Sequence, residues 1–433
     1  MNPKHRTSIR YLVLMLLALA AAGAYLTRHC LAVANTTIQQ ELGFNNEQFG
    51  YLFSAFSIGY LICQIPGGWL GERFGTRTAL SLMACIWSAL TIVTTTVSNL
   101  IAMVVTRALF GMAQAGLVPN QTKIINDWFP VRSRGIASAV VTTAMSIGSV
   151  LSFGLTAFLM TDYSWKTVFS WYAGIGFLWA ITFFWLFRTF PRDHPWVNAY
   201  ELMFIENQNR TPQEPQPVIL RSNWWNVVSS VSVWGLCFQL LFKAAGYNLF
   251  VTFFPAFLEL AYDLETSVSG QLATWPLLGV VIGTLGSGFL IDAIYRCTQN
   301  KWYSRCVLSA VSLFFTAILM VVSTWMRTVE QMTTLVTLAA LFSGAAIPAT
   351  WAAVIDVGGR RSAVVMGTVN SVGNLAGVII APLVGRLMDR IVANNGEWNL
   401  ILYVHAVFYL IAAASWLIVN PESKIQSHNP LRV

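Results

Sequence analysis

Four ionisable side chains stand well inside long apolar stretches of this 433-residue chain: Arg28 and His29, Arg107, and Lys243. A charge at the middle of a bilayer costs about 2.5 to 3.5 kcal/mol on insertion scales, so each needs a partner or a task. All 18 Asp and Glu residues lie between the apolar stretches or near their ends. Pairing with a carboxylate is thus hard to arrange, and snorkelling to an interface is unfavourable this deep. A guanidinium offers a planar fork of donors at fixed charge, which suits a carboxylate. Left unneutralised, the three cations point to a small anionic ligand; a purely structural role for each is the alternative.

What must position them is a set of membrane helices. The chain is 56% hydrophobic and only 10% charged, against about 25% charged in soluble domains. Apolar runs long enough to cross a hydrocarbon layer of roughly 30 Å recur along it. They predict helices at 11–35, 48–70, 78–96, 99–126, 134–160 and 166–188, then at 227–258, 267–292, 303–326, 331–354, 362–388 and 398–419. Residues 1–188 form a first six-helix bundle, 189–226 a cytoplasmic linker rich in proline (Pro191, Pro195, Pro212, Pro215, Pro217), and 227–433 a second bundle. At about 1.5 Å per residue, Arg28 and Arg107 both fall roughly 7 Å outside the bilayer centre and Lys243 near the midplane.

Charge gives the orientation. Lys4, Arg6 and Arg10, Arg73 and Arg77, Arg132 and Arg134, Arg188 to Arg221, Arg296 to Arg305, and Arg360 with Arg361 fall on one side, while the intervening loops hold only Lys166, Arg327, Arg386 and Arg390. By the positive-inside rule the first set is cytoplasmic, so both termini face the cytoplasm of a cell (inner) membrane. The formal charge of +8 is spread over short loops rather than gathered in a stripe, which argues against a nucleic-acid partner. The six cysteines form no CxxC pair and four lie in apolar runs, so no disulfide, metal site or cofactor is expected. The first run has full spanning length without a small-residue cleavage site and is read as a retained anchor. Paired acids, HExxH and nucleophile motifs are absent from the sequence, so no enzyme is predicted.

The halves repeat. Gly68-Trp-Leu70-Gly-Glu72 returns as Gly288-Phe-Leu290-Ile-Asp292, and Arg132 to Val150 slides onto Arg360 to Val378. Gly50-Tyr-Leu-Phe-Ser-Ala-Phe-Ser-Ile-Gly-Tyr60 runs into Gln64-Ile-Pro66-Gly-Gly-Trp69-Leu-Gly-Glu72-Arg73-Phe74-Gly75. To these add Arg107-Ala-Leu-Phe-Gly111, Trp128-Phe-Pro130, His194-Pro195-Trp196 with Glu201, and Asn374-Leu-Ala-Gly377 before Pro382. Over nearly its whole length the sequence resembles the major facilitator superfamily, and within it the organic anion branch, the anion:cation symporter family of sugar-acid/hexuronate and vesicular glutamate-type transporters. The resemblance implies two pseudo-symmetric six-helix bundles with a site between them near the midplane.

Many relatives read Tyr-x-Asp-Arg in helix 1, where this chain has Tyr25-Leu26-Thr27-Arg28, and carry a glutamate seven residues after the helix 4 arginine, where it has Gln114. Those acids handle protons in the family. Neither Thr27 nor Gln114 titrates near neutral pH. His29 could take their place, or it faces a neighbouring helix as a satisfied polar group. Tyr25, Tyr60, Gln64, Gln114, Asn370 and Asn374 either touch substrate hydroxyls or bond between helices; Tyr25, Tyr60 and Asn374 match pocket positions in relatives. Gly68, Glu72, Arg73, Gly75 and Arg77 match the superfamily's loop between helices 2 and 3, which implies a gate. Lys123 is read as a gate or headgroup contact and His405 as peripheral. The expected function is uptake of a sugar acid or dicarboxylate by alternating access in a monomer, with the coupling ion open. An uncoupled facilitator or exchanger, or a substrate-sensing receptor that kept the fold, are the alternatives.

Overall fold

The computed structural model describes residues 7–209, 229–358 and 362–422. Lys4, Arg6, Pro212, Pro215, Pro217, Arg221, Arg360 and Arg361 lie outside these described residues. The chain winds through α1 (Ile9–Val33), α2 (Asn35–Leu42), α3 (Asn46–Phe74), α4 (Thr76–Thr96), α5 (Leu100–Ala115), α6 (Leu117–Trp128), α7 (Val131–Leu159), α8 (Trp165–Leu186) and α9 (Ala199–Asn209). It continues with α10 (Val231–Asn248), α11 (Phe254–Tyr262), α12 (Thr266–Thr298), α13 (Leu308–Ser323), α14 (Val329–Gly358), α15 (Ser362–Ala393) and α16 (Asn399–Ser415). Among the described residues there is no strand; each helix satisfies its own backbone groups where water cannot. Among the described residues, eleven spans are long and apolar enough to cross a bilayer, α5 with α6 and α10 with α11 each counting as one. The 32-residue α15 is a further long helix, so the all-α membrane fold expected from composition holds.

The boundaries differ from expectation where polar chemistry breaks a run. The first run stops at Val33 and turns at Ala34 into the polar α2. The fourth is interrupted at Gly116, three residues before Pro119, whose missing N–H cannot continue the ladder. The stretch expected as a loop from Gly68 to Arg77 is helical except at Gly75, whose φ of 82° lies where only glycine sits without strain. Arg386 and Arg390, expected in loops, ride on the last turns of α15.

The chain divides into two compact units, one of Met1–Phe44 with Tyr51–Leu220 and one of Asn45–Gly50 with Arg221–Val433. In the first, α1 packs along α7 and α4 along α8. Small residues let the backbones close in, and polar side chains reach across to spare carbonyls: Ser152 Oγ donates to Leu26 O at 2.8 Å and Gln121 Nε2 to Leu17 O at 2.9 Å. Asn120 Nδ2 staples α6 to α3 by donating to Gly67 O at 2.9 Å. A Cβ on Gly71 would lie 1.5 Å from Asn120 Oδ1, so the glycines of this motif are needed for packing inside the unit. In the second unit α12 packs on α14, α13 on α14 and α10 on α15. Asp389 caps the start of α3, accepting from Asn46 N at 2.9 Å and Glu47 N at 2.8 Å. His405, expected at the periphery, is fully buried, its Nδ1 2.7 Å from Ile401 O. Sequence fixes the depth of a residue along a helix but not which way that helix faces, and here the helix turns the imidazole inward.

The polar belt at the start of α1 was the least legible part. Ser8 precedes α1 without capping it; Glu201, on α9, does so instead. Its fully buried carboxylate accepts from Thr7 Oγ1 at 2.6 Å, Ile9 N at 3.2 Å and Arg10 N at 3.3 Å, and meets Arg10 Nη1 at 3.4 Å. The charge also sits where the helix dipole favours an anion. Close by, His194 Nδ1 accepts from Trp196 N at 3.2 Å, which leaves Nε2 as the donor to Leu186 O at 2.9 Å. Burial, the largest effect, holds the pKa of this neutral ring below 6.5.

Two outcomes are expected. Glu201→Ala strands the α1 N–H groups and a buried arginine, and should cost about 2 to 4 kcal/mol of stability, with Glu201→Gln intermediate; thermal unfolding of purified protein measures it. Because folding depresses the His194 pKa, the unfolded chain binds the extra proton, so this contribution is complete above about pH 6.5 and is lost as pH falls below it. His194→Gln should flatten that slope in unfolding curves taken from pH 7.5 to 5.

Candidate functional site

Each buried cation is positioned by helix packing. On α5, Arg107 belongs to a face whose glycine touches α3: a Cβ on Gly111 would lie 2.2 Å from Phe56 O, and one on Gly59 only 2.1 Å from Ala108 O. That near-contact of backbones lays the α3 rings against the arginine. The Arg107 guanidinium is 4.5 Å from the Phe110 ring centre and 5.6 Å from that of Phe56. Only 3% exposed, it makes no hydrogen bond or ion pair with any described residue, and its Nε is an orphan donor. Cation–π contact of this kind stabilises by about 1 to 2 kcal/mol when desolvated, less than a buried charge requires.

Arg28, on α1, faces the same cluster. Its guanidinium lies 4.4 Å from the Tyr25 ring, 4.8 Å from Phe56 and 5.0 Å from Tyr60, so the Phe56 ring is shared with Arg107. Its Nε donates to Gln114 Oε1 at 3.1 Å. Gln114, fully buried, is held in turn by α1: Nε2 donates to Ala24 O at 3.0 Å and to Thr27 Oγ1 at 3.3 Å, while Thr27 Oγ1 donates to Gly23 O at 2.9 Å and Ala24 O at 3.0 Å. The two positions at which the family resemblance implies acids, Thr27 and Gln114, are thus neighbours in a single hydrogen-bonded group, and that group is neutral. It orients Arg28 without cancelling its charge.

Lys243 sits on α10 in the second unit, 7% exposed, with Nζ 5.9 Å from the Tyr247 ring centre. Among the described residues it too has no ion pair or hydrogen bond. One turn earlier, on the same helix face, is Gln239, which the sequence reading passed over. Fully buried, it accepts from Thr350 Oγ1 at 3.4 Å through Oε1 and leaves Nε2 unpartnered. An orphan amide donor four residues from an unpaired ammonium is a signal that only burial reveals. Phe56 and Phe110, missed likewise, read in sequence as ordinary apolar residues.

The remaining candidates divide. Tyr25, Tyr60 and Gln114 join Arg28; Gln64, half-buried on α3 one turn past Tyr60, has no hydrogen bond to described residues. His29 lies beside Tyr25 and Phe153, with ring centres 5.8 and 6.4 Å away, so Tyr25 stands between it and the Arg28 guanidinium as a shared neighbour. Asn374 Nδ2 donates within its own helix to Asn370 O at 2.9 Å. A Cβ on Gly68 would come within 3.1 Å of Pro119 Cβ. Glu72 and Arg73 are exposed, Arg73 over Trp69 at 5.0 Å, and Arg77 Nε donates to Phe184 O at 2.6 Å, closing the end of α8. Lys123 pairs with Asp127 at 3.4 Å.

Comparison with known proteins agrees with this architecture. The sequence matches the Major Facilitator Superfamily over residues 17–381 and 236–433. It is similar to the probable sulfoacetate transporter of Cupriavidus necator, at 24% identity over 98% of this chain and 97% of that one. The D-galactonate transporter of Escherichia coli is 27% identical over 96% of each chain. The fold is that of a solved bacterial homologue of the human lysosomal transporter Spinster, inward-facing and occupied, with TM-score 0.77 over 95% of this chain and 97% of that one at 18% identity.

The Arg28 to Gln114 contact can be tested by charge. Gln114→Glu puts a carboxylate on Arg28 Nε that competes with a bound anion, so affinity should fall about tenfold, about 1.4 kcal/mol, and recover as pH is lowered and the new acid is protonated. Calorimetric titration at two pH values reads both effects.

Proposed function

Because the chain belongs to the major facilitator superfamily, a family of membrane transporters, we propose that it carries a small organic anion, a sugar acid or dicarboxylate, across the bilayer by alternating access. The observation that carries this reading is the pair Arg28 and Arg107, buried against one aromatic ring with no carboxylate to neutralise them. An arginine pair in low dielectric is stable with an anion and costly without one. Supporting it are relatives named for sulfoacetate and galactonate, both anions. Lys243 of the second bundle supplies the third cation, Gln239 an amide donor beside it, and Tyr25, Tyr60, Gln64, Gln114, Asn370 and Asn374 the contacts to hydroxyls.

The bundles of this reading are residues 1–188 and 227–433 with 189–226 between them, both termini cytoplasmic in the inner membrane of a monomeric carrier that works as an importer. Glu72 and Arg73, exposed at the end of α3, are its gating charges; Gly68, Gly75 and Arg77 hold that turn in place. Since Thr27 and Gln114 form a neutral pair, the carrier behaves as a facilitator or exchanger whose flux follows membrane potential, at about 2.3 kcal/mol per charge per 100 mV, unless His29 handles protons.

Substrate is found by a thermal-shift screen of sugar acids, dicarboxylates and organophosphates. With the best ligand, Arg28→Ala and Arg107→Ala should each lose about 1.5 to 3 kcal/mol of binding while still folding; wild-type affinity in either would remove that arginine from the site. Counterflow in proteoliposomes then separates a carrier, which exchanges labelled substrate, from a sensor, which binds without exchange. With pH gradient and potential clamped separately, potential alone should drive a monoanion. Proton-driven uptake that vanishes in His29→Gln would assign coupling to that histidine, and uptake that persists there would refute the uncoupled reading.

A further inference from the structure

Between α1, α7 and α8 of the first unit, with Trp87 of α4 at its back, lies a cavity of about 380 Å³ that the anion site does not use. It is mid-membrane by position: it follows α1 from Leu16 to Thr27 and α8 from Tyr172 to Thr182, the central parts of two spanning helices. Its mouth opens on Leu19, Leu151, Ile175 and Leu178, which are 53%, 46%, 62% and 66% exposed on helices that cross the bilayer. What faces that mouth is therefore hydrocarbon.

No charged side chain lines the cavity. Of its polar groups, Thr27 Oγ1 is spent on Gly23 O and Ala24 O, the Tyr172 hydroxyl shares a hydrogen bond with Thr156 Oγ1 at 3.0 Å, and Trp179 Nε1 donates to Leu16 O at 3.0 Å, which leaves only the Trp87 indole N–H and the Thr182 hydroxyl without a hydrogen bond to described residues in an otherwise apolar lining. A polar ligand would lose its hydration here and gain little in exchange. An apolar chain loses nothing on leaving the surrounding lipid, and in a cleft of this size walled on three sides it gains more close contacts than fluid hydrocarbon offers. Gly23 deepens the cleft: a Cβ built there meets no atom within 4 Å.

We propose that this cleft binds one acyl chain of a membrane phospholipid and retains it apart from the bulk bilayer. The occupant lies against Ala24 and Thr27, the same turn of α1 that holds the Gln114 amide, and so braces the helix that carries Arg28. The assignment stands on the cleft alone, whatever the transported species.

The test uses purified protein in phosphatidylethanolamine nanodiscs doped with a phospholipid bearing a mid-chain diazirine, followed by photolysis and peptide mapping. Adducts should concentrate on residues 16–27 and 172–182 and should saturate as the probe fraction rises, whereas labelling of other lipid-facing surfaces rises in proportion. Gly23→Leu, whose Cβ meets no protein atom within 4 Å and whose side chain enters the cleft, should abolish the concentrated labelling. Gly174→Leu, on the exposed face of α8 with equal open space but outside the cleft, should leave it intact. Labelling proportional everywhere, or unchanged in Gly23→Leu, means annular lipid only and overturns the proposal; the saturation measurement needs no variant and decides the matter if Gly23→Leu does not fold.

Discussion

Positive charge without an internal counterion is the constraint around which the first bundle is arranged. Arg107 sits among Phe56 and Phe110 with an orphan Nε, and a structure built only for stability would have replaced it with an apolar residue of similar size. The surrounding packing serves to hold it ready. Gly59 and Gly111 exist so that α3 can come near enough to lend its rings, and Gln114 holds Arg28 through a neutral oxygen where an acid would have cancelled it. The cost of the bare charges is carried by the rest of the fold and, on the proposed reading, is repaid when an anion arrives.

The fold bears this cost by keeping its strongest polar interactions at the helix ends. Glu201 fixes the start of α1 and Asp389 the start of α3; Glu41 binds Trp165 Nε1 at 2.6 Å and Lys166, which lowers its pKa. Between those anchored ends, the helices approach most closely at glycines such as Gly59 and Gly111, and the described ion pairs lie near the helix ends, where they do not resist sliding. Rigid termini and smooth flanks are what a helix needs if it is to tilt as a unit.

How much of this could be read from the sequence follows from what sequence encodes. Hydropathy locates each span to within a few residues because the bilayer imposes a length, and the scarcity of internal acids singles out Arg28, Arg107 and Lys243 before any coordinates. Azimuth is another matter. Nothing in the residues around His405 says that it turns inward, nor that Asn374 bonds its own helix instead of a neighbour. Gln239 looked like any polar residue of a transmembrane helix until burial showed its donor unmet. The segment from Gly68 to Arg77 reads as a loop because glycine is permissive in both loops and close helix contacts; its use, admitting Asn120 and Pro119, is tertiary. The belt formed by Glu201 joins residues 191 positions from it in sequence, a pairing that no local pattern announces.

The neutral pair of Thr27 and Gln114 bears on leakage as well as on transport. In a carrier whose pocket holds titrating acids, protons and metal cations have stations to stop at while the pocket stands empty. On the uncoupled reading proposed above, an arriving hydronium or sodium ion would meet fixed guanidinium charge and no carboxylate, the kind of barrier that keeps protons out of water-conducting pores. On that reading the idle carrier would be an insulator towards cations, and the membrane that houses it would keep its ionic gradients however much of the carrier is made.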